Sequence, residues 1–212
     1  MRILDILYQH KLKEYEERLR QLTDPSIVYV TDLTSCSYKR FYRIHYPHLS
    51  FKFEPSLVLG DLVHMGLSTL VTSTGEWRSE VEVRRSFDID GKRYTLLGRA
   101  DLVQYSGDKP VHVVEVKTMK ESSLSLPLEH HELQLQVYMN LLGVSEGTLL
   151  YVAPDTLVEI PVHFRELDLG SMMEETVYMR RAPRYGWECR YCIYRKICPI
   201  PRRRQEPRHE AS

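Results

Sequence analysis

The chain has 212 residues, of which 42% are apolar and 27% charged, a composition that suits one globular domain with a real core and excludes a disordered or fibrous chain. Lys plus Arg equals Asp plus Glu at 29 each, so net charge alone indicates no polyanionic partner. The longest apolar run, Leu57–Val71, contains Asp61 and His64 and is too short to span a bilayer.

The start, MRILDILYQHKLKEYEERLR, is charged from residue 2 and lacks the apolar run of a signal peptide. A cytoplasmic location without a membrane is therefore expected. Its reducing milieu disfavours disulfides, so the four cysteines need another reason.

Residues 3–22 predict an amphipathic helix, with Ile3, Ile6, Leu7, Leu12, Leu19 and Leu22 near helical spacing and TDPS breaking it. Tyr29–Pro47 predicts a second helix, capped at Thr31 or Asp32, with Cys36 inside it. Residues 56–73 predict a third, mostly buried helix. The period then changes to two. Arg78–Ile89, Lys92–Tyr105 and Pro110–Thr118 predict three strands joined by the turn signals DIDG and SGDKP. Leu126–Gly143 predicts a helix with Gly143 as C-cap. EGTLLYVAP and LVEIPVHF predict a further strand pair, and 166–181 a last helix before a basic tail that carries three cysteines. There are no internal repeats.

The second and third strands hold charges where charge is unexpected. Asp101 sits between Ala100 and Leu102, and Glu115 and Lys117 sit among Val113, Val114 and Val116. Residues i and i+2 of a strand share a face, so Glu115 and Lys117 point the same way. If SGDKP closes an antiparallel hairpin with Tyr105 opposite Val111, paired positions sum to 216 and Asp101 faces Glu115. Two carboxylates at cross-strand distance repel unless a proton or a cation lies between them. Such oxygen ligands suit Mg²⁺ or Mn²⁺, and Lys117 beside them can stabilise an oxyanion or position a water. On the following helix Gln134 and Tyr138 are i and i+4 and share one face.

The pattern D-x13-E-x-K followed by Q-x3-Y, at Asp101, Glu115, Lys117, Gln134 and Tyr138, resembles the RecB-type branch of the PD-(D/E)xK nucleases. The resemblance implies an α/β, restriction-endonuclease-like core, a mixed central sheet flanked by helices. It also implies a histidine metal ligand on an upstream helix, matched by His64 in LGDLVHMGL. His64, Asp101, Glu115 and the backbone carbonyl of Val116 would hold one or two divalent ions. Lys117 would position or deprotonate the water and help stabilise the developing charge, and Gln134 and Tyr138 would orient Lys117 or grip the phosphate.

Cys189, Cys192 and Cys198 cluster near the end, and Cys36 lies far upstream. Four thiolates can hold a zinc ion or an iron–sulfur cluster. A one-plus-three split is a poor fit to a compact zinc finger. It is similar to the iron–sulfur staple of some RecB-type nucleases, which can carry [4Fe–4S] or [2Fe–2S].

Both halves together, over about residues 28–200, resemble the CRISPR-associated RecB-like exonuclease family, although Ser37 stands where that family has proline. The resemblance implies a single nuclease domain over 1–212, with its iron–sulfur region formed by 29–47 and 183–201. It implies trimming of single-stranded DNA, 5′ to 3′, for spacer acquisition alongside CRISPR integrase proteins. An iron–sulfur DNA-binding adaptor with vestigial catalysis and a DNA-repair nuclease outside CRISPR are the competing readings. Arg180, Arg181 and Arg184, among the tail's aromatics, are expected to contact phosphates. The sequence leaves the oligomeric state open.

Overall fold

The computed structural model describes residues 2–120 and 126–200. Its elements run α1 (Ile3–Thr23), β1 (Ile27–Tyr29), α2 (Val30–Leu33), α3 (Tyr38–His45), α4 (Pro55–Thr72), β2 (Trp77–Ile89), β3 (Lys92–Ser106), β4 (Lys109–Thr118), α5 (Glu129–Leu142), β5 (Glu146–Ala153), β6 (Thr156–His163), α6 (Leu169–Val177) and α7 (Glu188–Tyr191). Six strands form one mixed sheet. β4 and β5 are parallel neighbours, and β2–β3, β3–β4 and β5–β6 are antiparallel. Among the described residues no helix is long and apolar enough to cross a membrane.

The long strand β3 organises the sheet. One of its edges is taken by β2 along residues 92–104. The other is shared: β1 pairs in parallel with residues 95–97, and β4 pairs antiparallel with residues 102–106. Residues 98–101 lie between these two partners, so the sheet forks there. Helices cover both faces. Leu135 and Val137 of α5 join Val103 and Val113 in the main core. Val63, Leu67 and Val71 of α4 pack on Leu102, Val114 and Val116. Alternation along a strand puts these two sets on opposite faces.

Two expectations are corrected. Tyr29–Pro47 is not one helix. Tyr29 ends β1, and the Asp32 carboxylate accepts from the Tyr29 N–H at 2.9 Å and pairs with Arg43 at 2.7 Å. Helical geometry ends at Leu33 and resumes at Tyr38, and between them the Cys36 and Ser37 N–H groups donate to Glu188 and to the Arg181 carbonyl of the distant tail. Nor is the 56–73 helix mostly buried. α4 has no buried residue; it lies on the sheet along one stripe and exposes Leu59, Leu62, Met65 and Leu70.

Gly98, in the fork, is pressed from two sides. A Cβ there would stand 2.5 Å from Val30 Cγ2 and 2.7 Å from Tyr138 Cε1, both groups being buried. Gly98→Ala is expected to destabilise the fold by about 1–3 kcal/mol, the usual cost of overpacking. A urea-denaturation midpoint that falls at unchanged slope would report it.

Candidate active site

The fork gathers the charged side chains. The β3–β4 register runs Leu102 opposite Val114, Val103 opposite Val113 and Gln104 opposite His112, then shifts so that Tyr105 faces Pro110. The expected Tyr105–Val111 pairing is therefore corrected. A bulge in the turn absorbs one residue, yet the sum of 216 holds on the approach to Asp101. There the ladder gives way to a side chain, and Asp101 Oδ2 accepts from the Val116 N–H at 2.7 Å. Asp101 thereby lies against the segment that carries Glu115.

Glu115 is 2% exposed. Its Oε1 accepts from Lys117 Nζ at 2.7 Å, and its Oε2 is buried without a hydrogen-bond partner. Lys117 Nζ also donates to Gln134 Oε1 at 3.0 Å. Tyr138 is buried one turn further along α5 from Gln134, with its ring against Gly98. His64, on α4, brings Nδ1 to 3.5 Å from Asp101 Oδ1, near but not bonded. The expected residues His64, Asp101, Glu115, Lys117, Gln134 and Tyr138 thus converge at one place from α4, β3, β4 and α5.

Electrostatics follow from enclosure. Burial pushes Asp101 up to about 6, against the Val116 N–H and the Lys117 charge, which lower it. Burial also pushes Glu115 up to about 7; Lys117 opposes the shift and Asp101 adds to it. Burial holds His64 below its ordinary value, leaving the ring free to ligate. An imidazole and two carboxylates, one of them with an orphaned buried oxygen, form a donor set that fits a hard divalent cation. The cation would occupy the space where the two acids repel.

Glu80 was not anticipated. It stands in β2 opposite Asp101, and it alone drops out of the β2–β3 ladder between Ser79 and Val81. Its φ is +53°, a conformation that costs a non-glycine residue energy. One ligand atom each from His64, Glu80 and Asp101 lies within 4.8 Å of the others. These groups line a cleft of about 940 Å³, walled on the far side by Lys11 and Arg18 of α1. Lys11 pairs with Asp61 of α4 at 2.8 Å across it. No motif in the sequence marked Glu80 or the α1 wall.

Elsewhere, Cys36, Cys189, Cys192 and Cys198 line a common cavity of about 320 Å³. Burial raises the Cys36 thiol to about 11 and also raises Cys192. Glu188, a further unanticipated residue, ties the cavity together. Its Oε1 accepts from the Cys36 N–H at 2.8 Å and Lys39 Nζ at 2.9 Å, and its Oε2 accepts from the N–H groups of Arg184 and Tyr185. Tyr42 stacks on Tyr194 at 5.1 Å and donates to the Ile197 carbonyl.

Arg180 and Arg181 are exposed, but Arg181 is paired with Glu175 at 3.0 Å. The Arg184 side chain is only 12% exposed. As a free phosphate contact Arg184 is therefore corrected: folding encloses its guanidinium beside Glu175. Trp187 lies 5.8 Å from Tyr185 in a parallel stack and 4.8 Å from His130.

A family model for the PD-(D/E)XK nuclease superfamily matches residues 72–199. The CRISPR-associated exonuclease Cas4 of Saccharolobus solfataricus is 35% identical over 191 residues, 88% of this chain and 94% of that protein. The solved structure of SSO0001 superposes with a TM-score of 0.83 at 33% identity, covering 94% of this chain and 97% of its own. The alkaline exonuclease LHK-Exo of Laribacter hongkongensis shares the fold at a TM-score of 0.53 and 10% identity, over 78% of this chain and 90% of its own.

The raised acids give a sign to pH. Between the ordinary carboxylate range and about 7 the folded chain keeps protons that the unfolded chain has lost, so cation-free stability falls with rising pH across that range and levels off above about 7. A divalent cation must displace those protons. Calorimetric Mn²⁺ affinity is expected to climb through this window and level off above it, with proton release visible between buffers of different ionisation enthalpy. A pH-independent affinity would contradict the assignment.

Proposed function

This chain belongs to the PD-(D/E)XK nuclease superfamily and, within it, to the CRISPR-associated exonuclease family; from that premise we propose that it hydrolyses single-stranded DNA from an end, with His64, Asp101, Glu115 and the Val116 carbonyl holding the divalent cation. The observation that carries the assignment is Glu115 Oε2, buried and unbonded on the β4 segment that Asp101 binds through the Val116 N–H. A bound cation supplies positive charge to the scissile phosphate and lowers the pKa of water.

The protein's own groups do the rest. Lys117, held between Glu115 and Gln134, orients the attacking water and offsets charge that grows on the phosphate oxygens. Tyr138 fixes Gln134, and so the lysine. The water oxygen bonds to phosphorus and gives up its proton to bulk solvent. The bond from phosphorus to the departing deoxyribose oxygen breaks, and that oxygen is protonated from solvent. The cleft between α1 and α4 admits the strand. The exposed Arg180 and Arg181 offer it phosphate contacts, and Trp187 with Tyr185 a stacking surface. Polarity 5′ to 3′, trimming ahead of spacer acquisition and contact with CRISPR integrase proteins belong to the same proposal, on the strength of the family.

Lys117→Ala is expected to lower Mn²⁺-dependent cleavage of linear single-stranded DNA by about 100-fold or more while the protein stays folded. Circular single strands should resist wild type. A strand labelled at either end reads the polarity. Cleavage that survives both Lys117→Ala and Asp101→Asn would overturn the assignment.

The four cysteines are read as ligands of an iron–sulfur cluster that makes one domain of the whole chain, joining 29–47 to 183–201. Their sulfurs stand around the cavity: among the described residues no three lie within 4.8 Å of one another. A single zinc with bonds of about 2.3 Å would hold them about 3.8 Å apart. We take the cluster to be [4Fe–4S], with [2Fe–2S] as the alternative. Anaerobically purified protein is expected to be brown, and Cys189→Ala to lose the visible absorbance and melt at a lower temperature. A colourless protein with one zinc per chain would refute the cluster.

A further inference from the structure

We propose that Glu80 is a ligand of the active-site cation, reaching it from the β2 side of Asp101. The inference rests on the reading of the site given above and adds a residue that no motif assigns.

The donor geometry suits the role. In an octahedral site with bonds of about 2.1 Å, neighbouring ligand atoms lie about 3 Å apart and opposite ones about 4.2 Å. Ligand atoms of His64, Glu80 and Asp101 already fall within 4.8 Å of one another, so closure on an ion needs only small side-chain movements.

A second observation lies on the other side of Asp101. Glu115 is buried with Oε2 unbonded, on the β4 segment that Asp101 Oδ2 binds through the Val116 N–H. Asp101 Oδ1 and His64 Nδ1, at 3.5 Å, do not satisfy one another either. Glu115 on β4 and Glu80 on β2 flank Asp101 on β3, so an ion held by Asp101 is approached from both neighbouring strands.

The local backbone serves this placement at its own expense. Glu80 adopts φ +53° and gives up its place in an otherwise continuous ladder. The carboxylate is then paired with Arg99, its neighbour from β3. A pairing partner for Arg99 alone would not require a break in the strand, since cross-strand pairs form freely in regular ladders. The guanidinium occupies the carboxylate as a competing cation.

Mn²⁺ titration of the full chain, followed by calorimetry and by the EPR signal of free Mn²⁺, tests this. Glu80→Gln is expected to weaken Mn²⁺ binding at least about tenfold, the lower end of what even outer ligand-shell changes cost. Arg99→Gln should leave the affinity unchanged or raise it. Should Glu80→Gln fold poorly, Glu80→Gly decides. It relieves the positive φ, so its cation-free melting temperature should equal or exceed wild type while the Mn²⁺-induced rise shrinks. Affinity of Glu80→Gln within twofold of wild type, or an equal loss in Arg99→Gln, would reduce Glu80 to a partner of Arg99 and overturn the proposal. Asp101→Asn serves as the control. If it too binds Mn²⁺ normally, the catalytic reading fails, whereas loss in Asp101→Asn alone removes only Glu80.

Discussion

The structure depends on a carboxylate buried where water cannot reach it. Glu115 lies in β4 between two valines, with one oxygen on Lys117 and the other on nothing. An unpaired charge in such a place costs several kcal/mol. The fold tolerates it because Lys117 neutralises part of it and the raised pKa lets a proton cover the rest. Stability and protonation are therefore linked here, and the valine-rich strand that drives folding is the one that buries the charge.

The fork in the sheet makes this possible. A continuous ladder along β3 would bond the Val116 N–H to a backbone carbonyl. Because β1 and β4 divide one edge of β3, residues 98–101 are left without a strand on that side. The Asp101 side chain fills the gap. Gly98 supplies the room for Val30 and Tyr138 to close over it. Packing at the fork thus sets the positions of the acids, and a side chain added there would disturb both stability and geometry.

Segments far apart in the chain, 36–42 and 184–198, meet around Glu188 and the cysteines. Glu188 alone satisfies three backbone N–H groups and one amine across about 150 residues of sequence. The same residue borders a second cavity, shared with Gln134 and Trp187. The tail therefore packs against the helix that carries Gln134 and Tyr138, so order in the cysteine region bears directly on the helix that orients Lys117.

By itself the sequence determined whatever depends on local periodicity. The strand alternation of 92–118 placed Asp101 near Glu115 and Lys117, and the i, i+4 spacing placed Gln134 with Tyr138. Gly143 was legible as a cap because the left-handed turn it makes, φ +67°, needs no distant partner. A slip at the turn did not spoil the site, because the bulge at Gln104–Tyr105 corrected the register before Asp101. Tertiary structure decided the rest. RSEVEVRR reads as an ordinary half-exposed strand, and only pairing with β3 sets Glu80 opposite Asp101. The helix expected through Cys36 is broken between Leu33 and Tyr38, where its backbone donors meet acceptors in Arg181 and Glu188, about 150 residues away. The apolar α4 is left at the surface because only one stripe of it meets the sheet. Periodicity reports which way a side chain points relative to its own strand or helix. Which neighbour it meets is fixed by pairings that close over long stretches of chain.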